Sequence, residues 1–239
     1  MLLVPLYFIL GVLTATCTGR AQNNCANNKC EMLGATEICT QCNAGYVPIG
    51  GVCTAHNDQA VVAGTGAGCQ KTGDTAVDGG STVCEKCTEA NYFLFMGGCY
   101  KTGEAPGNLI CTAAASGKCS ACVENGNVFK NKNSSPTLGT ECILCSDDTG
   151  SNNNKGVANC ATCTAPSADS GTATCKTCLP EFALDGSANA CISNSGTGGN
   201  VNKSGLSTGA IAGIAVAVVI VVGGLVGFLC WWFLCRGKA

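Results

Sequence analysis

The chain has 239 residues, a formal net charge of −2, 22 cysteines and 33 glycines. Its hydrophobic fraction of 46% looks globular, yet residues 22–204 hold only 26 Leu, Ile, Val and Phe in 183 positions, which excludes a single large core: too little apolar surface is there to offset the ordering entropy. The same stretch carries all 15 acidic residues against ten lysines, with no basic stripe interleaved with aromatics, which speaks against nucleic acid as a partner.

In chain order, residues 1–15 (MLLVPLYFILGVLTA) form a short apolar run followed by small residues, the pattern of a secretory signal peptide. Cys17, Gly19 and Ala21 each leave small residues at the positions a signal peptidase reads. The leader is therefore set at 1–21, with its cut anywhere from 15 to 21. Residues 22–195 are then a cysteine-rich ectodomain. Six CxxC units punctuate it: Cys39 and Cys42 (CTQC), Cys84 and Cys87 (CEKC), Cys119 and Cys122 (CSAC), Cys142 and Cys145 (CILC), Cys160 and Cys163 (CATC), Cys175 and Cys178 (CKTC). Cys25, Cys30, Cys53, Cys69, Cys99, Cys111 and Cys191 complete the set.

Three of the CxxC units are followed by an aromatic, alternating apolar residues and a further cysteine, ending at Cys53, Cys99 and Cys191. This pattern predicts small hairpins pinned at the base. The CSAC copy starts the same way, but its next cysteine, Cys142, comes late, so it carries a longer loop. Polar runs such as DDTGSNNNKG at 147–156 read as loops with nothing to bury. The fold class expected is thus small disulfide-rich β. It would be an elongated string of CxxC-containing hairpin modules, each with a tiny private core, plus one C-terminal transmembrane helix. Sequons place N-glycosylation acceptors at Asn133 and Asn202.

Residues 196–205 (GTGGNVNKSG) read as a flexible stalk. Residues 206–234 carry no charge, and a helix over 210–234 would be roughly 37 Å long, enough to cross a hydrocarbon layer of roughly 30 Å with some tilt. Trp231, Trp232 and Phe233 supply an interfacial belt. Arg236 and Lys238 put the tail, 235–239, in the cytoplasm and the N-terminus outside. A lipid-anchor attachment signal is the rival reading, and the charged end argues against it. Two GxxxG pairs, Gly209 with Gly213 and Gly223 with Gly227, add an expectation of self-association through the span.

Three chemistries fit CxxC. A redox-active pair needs the motif to open a helix after a strand, a setting that Gly-rich loops do not supply. Structural zinc fits the spacing and stays open, although the only histidine is His56, in a polar loop. Disulfides fit an oxidising compartment best, with no cofactor required. Their connectivity cannot be read from spacing. Parity adds one constraint: a leader ending at Ala21 leaves 19 extracellular cysteines, whereas a cut before Cys17 leaves 20, a number that closes.

The single span, the CxxC array, the GGCY stretch (Gly97, Gly98, Cys99, Tyr100) and the ending CRGKA (Cys235, Arg236, Gly237, Lys238, Ala239) together closely resemble the variant-specific surface proteins of the parasite Giardia. This resemblance implies a protease-resistant coat antigen of the plasma membrane. Such an antigen is exposed at the cell surface, is seen by host antibodies and acts in antigenic variation and immune evasion. It further implies palmitoylation of Cys235, modification of Arg236 and an ability to bind metal. The alternative is a cysteine-rich receptor for a host ligand, glycan or metal ion, for which NYFLFMGGCY at 91–100 is the one candidate aromatic surface. No HExxH, GxSxG, P-loop or dinucleotide motif appears, so no catalytic residue is expected.

Overall fold

The computed structural model describes residues 17–194. The leader up to residue 16, the stalk, the expected span at 206–234, the tail with Cys235, Arg236, Gly237, Lys238 and Ala239, and the sequon at Asn202 lie outside the described residues. Among the described residues no helix is long and apolar enough to cross a membrane.

Hairpins built on tight turns set the local structure. Strands β1 (Cys30–Leu33) and β2 (Thr36–Cys39) pair antiparallel, as do β3 (Tyr46–Ile49) and β4 (Val52–Ala55). Strand β5 (Cys69–Lys71) lies between β6 (Thr75–Ala76) and β7 (Lys86–Cys87). Then come the pairs β8 (Tyr92–Phe95) with β9 (Gly98–Lys101), β10 (Cys111–Ala115) with β11 (Lys118–Cys122), and β12 (Val128–Lys130) with β13 (Cys142–Leu144). In the last stretch β14 (Asn154–Lys155) pairs with β16 (Gly171–Thr172), β15 (Cys160–Thr164) with β17 (Thr174–Cys178), and β18 (Phe182–Asp185) with β19 (Ala190–Ser193). Three hairpins turn on two residues that both have positive φ: Gly50 and Gly51, Met96 and Gly97, Ser116 and Gly117. These are the type I′ geometries whose twist matches that of the strands.

The hairpins do not keep private cores, contrary to the sequence expectation. One buried cluster joins Leu33 and Ile38 of the first hairpin to Phe93, Phe95 and Tyr100 of β8–β9, and on to Ile110, Val128 and Leu144. The reason lies in strand geometry. Successive side chains point to opposite faces, so a strand buried on both sides serves two cores. Strand β8 sends Phe93 and Phe95 into this cluster and Leu94 into a second one with Val47, Val61 and Val77. Val128 and Leu144 face the first cluster, while Phe129 and Ile143, one residue away in each strand, face a third. Sparse apolar residues thus reach high use. Parallel pairing of β3 with β9 through Ile49 and Cys99 then ties two hairpins into one sheet, ordered β4-β3-β9-β8.

The fourth cluster is almost all sulfur: Cys17, Cys39, Cys42 and Cys53 with Ala21. Cys17 is bonded to Cys30, and Ala21 is only 2% exposed. The disulfide array of the described residues therefore includes Cys17, within the expected leader bounds, and the described residues contain the even cysteine count. A cut at Ala21 would remove one half of a disulfide.

Phe93 is fully buried and stacks against Tyr100 with ring centroids 6.0 Å apart, while Phe95 meets Tyr100 edge-on at 5.9 Å. Phe93→Ala is expected to cost about 3–5 kcal/mol with all disulfides retained. Tyr100→Phe should be neutral or stabilising, because the buried phenol oxygen has no hydrogen-bond partner to lose. Thermal unfolding of both variants checks this pair. A larger loss at Tyr100→Phe than at Phe93→Ala would mean that the hydroxyl anchors the core.

Candidate functional site: the CxxC junctions and the GGCY hairpin

All twenty cysteines from Cys17 to Cys191 are disulfide-bonded. No CxxC unit closes on itself. In CTQC, Cys39 bonds back to Cys25 and Cys42 forward to Cys53. The same rule holds for CEKC (Cys84 to Cys69, Cys87 to Cys99) and CSAC (Cys119 to Cys111, Cys122 to Cys142). It holds again for CILC (Cys142 to Cys122, Cys145 to Cys163) and CKTC (Cys175 to Cys160, Cys178 to Cys191). CATC inverts it: Cys160 reaches forward to Cys175 and Cys163 back to Cys145, so those two loops overlap. A CxxC unit is therefore a junction between a loop behind and a loop ahead.

The bonds span 8 to 20 positions, the longest of them following CSAC, where the sequence placed its longer loop. Closing a loop of about 15 residues is worth roughly 3 kcal/mol in the chain-entropy model.

At several junctions two disulfides lie against each other. Cys25, Cys39 and Cys53 group within 4.8 Å, as do Cys69, Cys84 and Cys99; Cys119, Cys122 and Cys142; and Cys160, Cys175 and Cys191. Three-sulfur groups of this kind suit zinc only as thiolates. Bonded in pairs, these sulfurs offer none, so the groups fit zinc only in a reduced form of the chain.

GGCY occupies the β8–β9 turn and the start of β9. Gly97 has φ +75°, and a Cβ there would come within 2.9 Å of the Thr40 carbonyl oxygen. A Cβ on Gly98 would press on Pro48 and on the Tyr100 ring at 3.0 and 3.1 Å. Cys99 closes the loop to Cys87, and Tyr100 is fully buried, with burial pushing its phenol above the ordinary range. The motif is thus a packing device. Phe93 and Phe95 are buried with it and only Tyr92 is half-exposed, so the aromatic surface of this stretch is reduced to one ring.

His56 is half-buried rather than solvated; its Nδ1 lies 3.1 Å from the Gly45 carbonyl oxygen. Asn133 is half-exposed, and its side-chain oxygen accepts the Ser135 backbone N–H at 2.8 Å. The polar run at 147–156 hides one residue the sequence reading missed. Asn154 is fully buried, and its amide donates to the Asn131 side-chain oxygen at 3.1 Å and approaches the Asp169 carbonyl at 3.2 Å. A lone Asn in an Asn-rich loop gives no signal of that. A cleft of about 490 Å³ is lined by Arg20, Glu37, Tyr92, Lys101 and Glu104. Lys101 already pairs with Glu104 at 2.6 Å, and Glu37 accepts the Thr18 hydroxyl at 2.8 Å, which leaves little convergent chemistry.

Two carboxyls are held above the ordinary carboxylate range, chiefly by burial. Burial pushes the Glu141 pKa up; one of its oxygens accepts the Gly139 N–H at 3.0 Å and the other is buried with no partner. Glu31 is raised by burial and by Asp147 and Asp148 nearby.

A sequence profile described as Giardia variant-specific surface protein matches residues 136–239. Variant-specific surface protein VSP4A1 of Giardia intestinalis is 47% identical over 170 residues, covering 70% of this chain and 24% of that relative. Major surface-labeled trophozoite antigen 417 of Giardia intestinalis is 34% identical over 277 residues, covering 94% of this chain and 36% of that relative. The chain thus spans about a quarter to a third of the length of these relatives. No solved structure matches it.

A carboxyl whose pKa rises on folding favours the folded state below its unfolded value of 4.5, and that contribution is lost as pH rises through the folded value. Glu141→Gln is therefore expected to raise Tm at pH 7, with the gain vanishing near pH 3. Calorimetry at the two pH values checks this. A lower Tm at pH 7 would mean that the charged form is well accommodated.

Proposed function

We propose that this chain, which belongs to the variant-specific surface protein family of Giardia, is a coat antigen of the parasite surface. Its ectodomain would face outward, one C-terminal span would hold it in the plasma membrane, and host antibodies would be its encounter partners. It would act in antigenic variation and immune evasion without catalysis. The observation that carries this reading is the closure of every described cysteine into a disulfide, with polar loops between them. Protease attack requires an extended, opened segment, and loops clamped at both ends resist that opening. Relatives whose names are those of surface antigens support the same reading.

The tail extends the proposal. Cys235 beside Arg236 and Lys238 is a juxtamembrane thiol suited to S-palmitoylation, Arg236 is a modification site, and the two GxxxG pairs support self-association in the membrane. Of the aromatic surface that the receptor reading relied on, only the half-exposed Tyr92 remains outside the core.

A tagged chain expressed in trophozoites tests this. Antibody to the described region should stain unpermeabilised cells. Acyl exchange should detect lipid on the wild type and lose it in Cys235→Ser. Trypsin should leave the native ectodomain intact and digest it after reduction. Staining only after permeabilisation would remove the coat reading. Unchanged acylation in Cys235→Ser would remove the lipid site.

A further inference from the structure

The sulfur cluster at the start of the array holds three disulfides in series: Cys17–Cys30, Cys25–Cys39 and Cys42–Cys53. The sulfur of Cys17 lies 3.8 Å from that of Cys25, and the sulfur of Cys53 lies 3.4 Å from that of Cys39. Neither pair is bonded, and no sulfur here carries a hydrogen, so these are bare contacts between neighbouring disulfides. Cys25 and Cys30 are half-buried, while Cys17, Cys39, Cys42 and Cys53 are buried.

We propose that this cluster is a thiol–disulfide exchange relay with an entry site at Cys30 for an external low-molecular-weight thiol. Disulfides exchange by attack of a thiolate on a disulfide sulfur, one S–S bond forming as another breaks. The external thiolate attacks Cys30, forms a mixed disulfide there and expels Cys17 as a thiolate. Cys17 attacks its neighbour Cys25, forming Cys17–Cys25 and expelling Cys39. Cys39 attacks its neighbour Cys53, forming Cys39–Cys53 and expelling Cys42, which takes up the proton the external thiol gave up. Three disulfides exist before and three after, so no oxidant or reductant is consumed. The outcome is a thiol moved from solution to a buried position without opening the module. Run in reverse, the relay brings a buried thiol out to Cys30.

Contact between sulfurs of different disulfides recurs at the end of the array, where Cys175 and Cys191 approach to 3.6 Å. It is not a necessary result of crowding cysteines: among the described residues neither Cys145 nor Cys163 belongs to a group of three sulfurs lying within 4.8 Å of one another. That bond serves as the internal control.

The test uses the full chain in detergent. Cys42→Ala leaves one odd thiol in the array, Cys53, and Cys230 and Cys235 are mapped separately on their own peptides. After incubation near pH 8.5, where a thiolate is well populated, then acid quench, alkylation and peptide mapping, most label is expected on Cys25 and Cys30, with Cys39–Cys53 and Cys17–Cys25 bridges. Within the array, Cys145→Ala should carry its label on Cys163 alone. Label confined to Cys53 in Cys42→Ala, with Cys25–Cys39 and Cys17–Cys30 intact, would overturn the relay. Should Cys42→Ala not fold, the wild type with one equivalent of glutathione decides: glutathione on Cys30 with a free thiol at Cys42 supports the relay, and glutathione on Cys30 with the thiol still at Cys17 overturns it.

Discussion

The fold rests on the direction in which each CxxC pair bonds. Two cysteines three positions apart could close on each other and gain nothing beyond a tiny ring. Bonding outward instead, back from the first and forward from the second in every unit but CATC, which reverses the two, makes each unit the shared boundary of two covalent loops. Loop closure acts mainly on the unfolded chain, removing freedom that folding would otherwise have to remove. A chain with so few bulky apolar residues therefore starts with much of its ordering cost already reduced. CILC shows how tightly the two functions combine: Cys142 and Cys145 bond in opposite directions, while Ile143 and Leu144 between them enter different cores.

Hydrophobic burial then becomes a matter of placement. Strands buried on one face would need a core for each hairpin, and the residues for that are missing. Strands buried on both faces let Phe93, Leu94 and Phe95 serve two cores from consecutive positions. The Tyr100 phenol is the cost of this density, since its oxygen is buried without a partner. The glycines before it follow from the same crowding. Gly97 and Gly98 sit where the turn, Pro48 and the Tyr100 ring leave no room for a Cβ.

The hairpins after CTQC and CEKC were legible because period-2 patterning and Gly-rich turns are local signals. So was the choice of sulfur over oil, which composition alone dictates. The sharing of cores was not legible. Alternation tells which residues share a face of one strand, but not that both faces are covered, and the parallel contact of Ile49 with Cys99 joins segments fifty positions apart. Connectivity was closed for the combinatorial reason that many pairings share one spacing. One Asn-rich run misled in a particular way. The run at 147–156 read as a loop with nothing to bury; Asn152 and Asn153 do adopt the positive φ of turn residues, as Asn24, Asn28, Asn91, Asn125, Asn159 and Asn189 do elsewhere, the backbone role that Asn tolerates best after Gly. Asn154, beside two of them, is a buried staple.

This division of labour bears on the proposed antigenic role. A surface that differs between relatives while still folding needs its specification concentrated in few positions. Here those positions are the cysteines, the left-handed turn residues and the double-sided strands. Much of the rest is exposed polar chain between fixed points, such as Thr112, Ser120, Glu124 and Asn125 around the CSAC junction. A substitution at such an exposed position changes what an antibody meets, while the covalent closure on either side is untouched. Change at Phe93, Gly97 or Cys99 instead disturbs a core, a turn or a bridge. Sulfur is suited to this use because a disulfide needs only its own two residues, whereas an apolar core depends on the shape of every neighbour.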